Sequence, residues 1–210
     1  MGGVQGERVM SISSIPLDHP TILRVKGLIP QKFWDRAWVG GSAATRFPQN
    51  NDVDVWVCVN TSAEWAEVTN AVPPPTDLED NAHRYVHASQ LFYNHDGLQM
   101  FLTASPIKEV VGGFDISCHA GAIHLVTGEV HIGCQYQEGV RIYQWRDARR
   151  TLERGIKFSR RYDDEDFWTD DMTLRAMLES ILLSPTTYGG GEVSRTEVTQ
   201  WLLMRVRQGL

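Results

Sequence analysis

The sequence is short of paired cysteines. Cys58, Cys118 and Cys134 are odd in number and have no Cys-x-x-Cys spacing, which excludes a disulfide framework and argues for free thiols in a reducing compartment. The histidines do not repair that lack: His83 and His87 are four apart, and His119, His124 and His131 lie near Cys118 and Cys134. Neither set has the paired spacing of a structural zinc motif. Apolar runs as long as a membrane span are missing too, so no membrane role is expected. Residues 1–7 lack the charged-then-apolar order of a signal peptide, and the expected location is cytoplasmic. Positive charge is in deficit, since the formal net charge is -6, which excludes a generally basic nucleic-acid coat. Repeats and low-complexity tracts are absent. What the chain does have is 210 residues, 42% of them hydrophobic, enough to bury a core in one domain with a helical appendage.

The stretch that organises the rest is Trp38-Val39-Gly40-Gly41-Ser42-Ala43-Ala44, followed after a short spacer by Asp52-Val53-Asp54-Val55-Trp56-Val57. In a strand, side chains alternate, so Asp52 and Asp54 share one face while Val53, Val55, Val57 and Val59 form a β-branched core face. Two neighbouring carboxylates repel, and an arrangement like this usually needs a cation to hold both ionised. A hard divalent ion with oxygen ligands meets that need and brings phosphates with it. Glycines let a backbone approach phosphate closely, and successive N–H groups form an anion-binding nest. Taken alone, Asp-x-Asp reads as two surface aspartates at a strand end; the Gly-Gly-Ser turn ahead of it shifts the balance.

This pairing resembles the nucleotidyltransferase superfamily typified by DNA polymerase β, with Gly40, Gly41 and Ser42 filling its turn and Asp52, Val53, Asp54 and Val55 its carboxylate strand. The resemblance implies an α+β fold, a nucleotidyltransferase-like mixed β-sheet flanked by helices with a C-terminal helical subdomain. It also implies Mg²⁺, as two ions with Mn²⁺ as a substitute, on Asp52, Asp54 and a third carboxylate from a neighbouring strand. Asp115, in Phe114-Asp115-Ile116-Ser117-Cys118-His119, is that candidate, because it shares the polar face of an apparent strand with Ser117 and His119. The same block looks like the Phe-Asp-Leu-Ser block of a phage- and virus-associated branch of nucleotidyltransferases. That branch continues through a Thr-Gly-Glu turn, here Thr127-Gly128-Glu129, to an Arg-rich helix with an Arg-Gly pair, here Arg154-Gly155.

Other elements follow from local signals. Residues 8–16 read as a short edge strand, and Pro30 opens a short helix over 31–36. Thr61-Ser62 caps a helix running to Val72, which Pro73-Pro74-Pro75 ends. Asn94-His95-Asp96-Gly97 marks a hairpin, and residues 105–111 a helix closed by Gly112-Gly113. Helical patterns recur to Leu183 and again after Ser194, whose Glu197 completes a capping box. The expected division is a catalytic domain over 1–135 and a helical region over 136–210 packed on it, whose helices offer a surface for an oligomer.

Between Arg141 and Arg161 the local balance inverts: eight Lys and Arg stand against Asp147 and Glu153, a net of plus six inside a chain of minus six. At the helical step Ala148, Leu152, Gly155, Ile156 and Ser159 share one side, and Arg146, Arg150, Arg154, Lys157 and Arg161 the other. Like charges on one stripe repel unless something anionic lies there. Two partners stay open: phosphate, or internal pairing with the acidic block at 163–171.

The expected chemistry is nucleotidyl transfer from an NTP or dNTP, such as ATP, to an acceptor hydroxyl with release of pyrophosphate. Asp52, Asp54 and Asp115 hold metal. Gly40, Gly41 and Ser42 hold phosphates, and Arg46, Arg150 and Arg154 neutralise charge. Trp56, Ser117 and His119 share the active face by parity and become candidate substrate contacts. RNA or tRNA, a protein or a small molecule all suit as acceptor. Two other classes compete: a catalytically inactive nucleotidyltransferase-like module, and a nucleic-acid-binding accessory protein using the basic helix 146–161.

Overall fold

A computed structural model describes residues 12–48, 52–72, 85–86, 89–145, 147–163, 171–183, 200 and 204. Its centre is a mixed seven-stranded sheet: β1 (Ala37–Gly40), β2 (Val53–Cys58), β3 (Tyr85–Val86), β4 (Ser89–His95), β5 (Leu98–Thr103), β6 (Gly121–His124) and β7 (Val130–Ile132), in the order β3-β4-β5-β2-β1-β6-β7. β2 and β5 run parallel and every other neighbouring pair antiparallel. Helices α1 (Pro20–Leu28), α2 (Ser42–Thr45), α3 (Ser62–Ala71), α4 (Ile107–Gly112), α5 (Ala148–Arg161) and α6 (Asp171–Leu183) flank it, so the architecture is the expected α+β.

The valine alternation of β2 sets the two layers. Val53, Val55 and Val57 pack with Val39, Leu98, Met100 and Leu102 against Ile22 and Val25 of α1, Phe33 and Val68 of α3. Trp56 points the other way and joins Phe101, Leu91 and Ala122 beneath Val110 and Val111 of α4 and Phe114. A third cluster ties α5 (Leu152, Ile156) and α6 (Leu174, Met177) to Ile116, Cys118, Val140 and Ile142. Among the described residues no helix is long and apolar enough to cross a membrane.

Several local signals gave the element expected. Thr61 caps α3 by accepting from the Glu64 N–H at 3.2 Å, and Val72 ends it. The β4–β5 hairpin turns on Asp96 and Gly97, both left-handed at φ 51° and 70°. Residues 31–36 form a single 3-10 segment capped by Pro30 rather than an α-helical turn. Residues 8–16 do not form an edge strand where described: Ser13 makes one isolated parallel bridge to Arg46. The acidic block at 164–170, His83, His87, Arg146 and the capping box after Ser194 lie outside the described residues.

The largest departure falls on residues 114–119. They are not a strand but a bend at Asp115, a bridge between Ile116 and Ile142 and a 3-10 turn over Ser117–His119. Their backbone partners are Arg141 and Tyr143: Ser117 N–H donates to the Arg141 carbonyl at 2.9 Å and Tyr143 N–H to that of Asp115 at 3.0 Å. The alternation of faces expected for Asp115, Ser117 and His119 is lost, and Ser117, Cys118 and His119 are all buried.

Candidate active site

β1 delivers Gly40 to the point opposite Asp54 on β2. Each glycine there answers a different demand. A Cβ on Gly40 would lie 2.5 Å from the Trp56 ring, which is itself stacked on Phe101 at 5.1 Å and fixed against Phe114. Gly40 thus serves the aromatic layer beneath the site. Gly40→Ala is expected to cost about 1–3 kcal/mol through overpacking, read as a lower urea midpoint. Gly41 adopts φ 68°, which L side chains rarely take, and any Cβ there would meet Asp54 Oδ2 at 3.5 Å. Its N–H donates to the Gly121 carbonyl at 3.0 Å, which pins the turn to β6 rather than leaving that donor for a ligand. Ser42 follows as the first residue of α2 and is buried.

The Asp54 carboxylate therefore sits against the backbone of Gly41 with Asp52 close by. Burial first, and then the charge of Asp52, push its pKa up to about 7, against a smaller opposing pull from Arg154. A carboxylate this reluctant to ionise beside a second one fits a divalent cation, which would favour the charged form of both. Asp52 and Asp54 are the residues that would hold it.

Asp115 is engaged differently. Its Oδ1 pairs with Arg154 Nη1 at 3.3 Å and its Oδ2 accepts from Thr151 Oγ1 at 3.2 Å. Among the described residues no group of three His, Cys, Asp or Glu is arranged to hold a metal ion. Asp52, Asp54 and Asp115 are thus not grouped as three metal ligands in this structure, in which α5 supplies both of these partners of the Asp115 carboxylate.

α5 itself follows the sequence pattern. Asp147 caps it, accepting from Arg150 N–H at 3.0 Å, and Ala148, Thr151, Leu152, Gly155 and Ile156 are its buried stripe. Arg154 lies on the opposite side, one turn beyond Arg150, and brings its charge to Asp115, Asp54 and His119. Arg46, at the C-terminal end of α2, lays its guanidinium over Tyr162 at 5.0 Å, and its buried Nε has no hydrogen-bond partner. Arg161 reaches the same aromatic platform from the last turn of α5, over Phe158 at 5.3 Å. Phe158 and Tyr162 are stacked at 5.9 Å.

His119 lies among the charges of Arg154, Arg46 and Arg161. It is buried, its Nε2 meets the Tyr162 hydroxyl at 2.8 Å, and its ring lies edge-on to Phe158 at 4.2 Å. Burial, and then the charges of Arg154, Arg46 and Arg161, hold its imidazole well below the ordinary histidine range, so it is neutral. Burial also pushes the Tyr162 phenol up to about 12. The expectations for two neighbours are corrected: Trp56 is core beneath the site, and Ser117 spends its hydroxyl on the Gly139 carbonyl at 3.0 Å. Arg161, Phe158, Tyr162 and Thr151 were not singled out as site residues. Only Arg161 had a signal, its place on the cationic stripe.

No family model and no curated protein matches the chain. Solved structures do resemble it. A CCA-adding enzyme with ATP superposes with TM-score 0.49 and 20% identity, over 81% of this chain and 46% of that one. A CCA-adding enzyme with CTP gives TM-score 0.46 and 20% identity, over 90% and 49%. The Thermotoga maritima CCA-adding enzyme complexed with tRNA gives 0.48 and 18%, over 78% and 43%. The chain spans less than half the length of each of these structures.

Proposed function

We propose, from the site's own residues, that the chain is a divalent-metal-dependent nucleotidyltransferase, moving NMP from an NTP or dNTP to an acceptor hydroxyl. The observation that carries this is the Asp54 carboxylate, held against Gly41 beside Asp52 with its pKa pushed up to about 7. Asp52 and Asp54 hold the Mg²⁺, for which Mn²⁺ substitutes; when bound, such an ion lowers the acceptor hydroxyl's pKa and offsets charge on the phosphates. Gly41 leaves room for the β- and γ-phosphates at the turn, and Ser42 orients them. Arg46, Arg150 and Arg154 offset the charge that develops on the leaving group. The acceptor oxygen bonds to the α-phosphorus as the bond from that phosphorus to the β-phosphate oxygen breaks. The hydroxyl proton passes to a carboxylate oxygen of Asp115, and pyrophosphate leaves.

The block at 114–118 and Thr127-Gly128-Glu129 support a place in the phage- and virus-associated branch. The partly accessible cationic side of α5, continued by the exposed Arg160, favours a nucleic acid as the acceptor. Incubating the full chain with α-phosphate-labelled NTPs, Mg²⁺ and cell extract is expected to label one class of macromolecule. Nuclease or protease treatment then tells RNA from protein. A chain that binds labelled NTP yet transfers nothing would instead be the inactive module.

A further inference from the structure

Arg154 stands where two parts of the proposed site meet. Its guanidinium pairs with Asp115, and the second oxygen of that carboxylate is taken by Thr151, one turn earlier on the same helix. The same positive charge acts on the Asp54 carboxylate and on the ring of His119, around which Arg46 and Arg161 also gather. The Arg154 side chain is 40% exposed while that of Asp115 is 17% exposed, so the guanidinium can leave more easily than the carboxylate. It lies within cation–π range of Phe158 at 5.8 Å, on the platform that carries Arg161 and, over Tyr162, Arg46. A guanidinium among like charges, 3.3 Å from the carboxylate it pairs with, gains by moving to a polyanion.

We propose that Arg154 is an exchangeable counter-ion, a positioning residue that deepens the function proposed above and rests on it. Without nucleotide it holds Asp115 on α5 and offsets part of the negative charge at Asp54. When a nucleoside triphosphate enters, the guanidinium passes from Asp115 to phosphate oxygens, and Asp115 is released toward the carboxylate pair. The third carboxylate thus becomes available only with substrate present, which ties completion of the site to nucleotide binding.

The exchange has consequences of opposite sign for two ligands. A divalent cation alone binds against the Arg154 charge, whereas a triphosphate binds with it. Arg154→Gln should therefore bind Mn²⁺ about tenfold more tightly than the unaltered chain, read as loss of the free-ion signal in electron paramagnetic resonance. The same variant should bind a non-hydrolysable NTP analogue with Mn²⁺ at least about tenfold more weakly. Arg154→Lys keeps the charge and loses the planar fork, so Mn²⁺ affinity should be unchanged and analogue affinity reduced several-fold. An ordinary structural ion pair would weaken both ligands on removal, and a plain phosphate ligand would leave Mn²⁺ affinity alone. Either outcome in Arg154→Gln overturns the proposal, as does a shifted Mn²⁺ affinity in Arg154→Lys. Asp54→Asn serves as the companion: if it leaves Mn²⁺ binding intact, the metal assignment itself is wrong, whichever way the Arg154 variants behave.

Discussion

Asp54→Asn is expected to abolish nucleotidyl transfer, by about 10³-fold or more, while raising the melting temperature of the unliganded chain near neutral pH. The two effects have one cause. In the folded chain the Asp54 carboxylate is half-buried at the Gly41 turn and repelled by Asp52, so its ionised form is disfavoured there. Asn has nearly the same shape and no charge, so it relieves that repulsion and at the same time removes a metal ligand. The gain is on the order of 1–3 kcal/mol, or several degrees of melting temperature for a chain of this size. Calorimetry and a turnover assay on one preparation check both halves. A variant that loses activity by melting lower would place Asp54 in the packing, not in the chemistry.

The second large effect is a dependence on pH. Asp54 has a folded pKa of about 7 against an ordinary value of 3.8. Between those values the unfolded chain has given up a proton that the folded chain keeps, so this contribution to stability is full below the lower value and lost as pH rises through the upper one. His119 works in the opposite sense. Its folded pKa lies well below 6.5, and its contribution is lost as pH falls below that value. Glu64, held down at about 2 by its hydrogen bonds from Arg36 and from the Asn60 N–H, loses its contribution only below the ordinary glutamate value of 4.5. The informative quantity is thus the difference between the unaltered chain and Asp54→Asn, which should grow in favour of the variant from about pH 4 to 7 and then level off. Saturating Mn²⁺ should erase that growth, since cation and proton compete for one carboxylate. Mn²⁺ affinity should fall about tenfold for each pH unit below 7. Urea titrations across pH, with and without Mn²⁺, measure this; a difference that does not vary with pH would remove Asp54 from the account.

How far the sequence carried depends on how local each signal was. The glycine turn and the Asp-x-Asp strand are adjacent in sequence, and the alternation of Val53, Val55 and Val57 allowed only one register with a buried valine face. The opposition of Gly40 and Asp54 follows from that register. The α5 stripe was legible for a similar reason, because a 3.6-residue period shows in one segment. Asp115 was legible as a candidate but the conformation around it was not, since its partners are residues 141–143, which have no periodic signal, and Thr151 and Arg154 on a later helix. Helix α1 also escaped notice: its apolar positions Ile22 and Val25 are β-branched, Gly27 interrupts it, and its N-cap is the ring of His19. The misreading of Trp56 has a different origin. Parity placed it correctly on the Asp54 face, but parity does not say that Phe101, Phe114 and α4 cover that face beyond the strand's first residues. Tyr162, one residue past the end of α5, finds His119 only through the tertiary fold.

The most direct test is calorimetric titration of a non-hydrolysable NTP analogue into the full chain, with Mg²⁺ and then with a chelator, for the unaltered protein and for Asp54→Asn. Saturable binding that needs Mg²⁺ and vanishes in the variant is the expected result. Binding of equal strength in all four experiments would contradict a metal-held triphosphate beside Gly41.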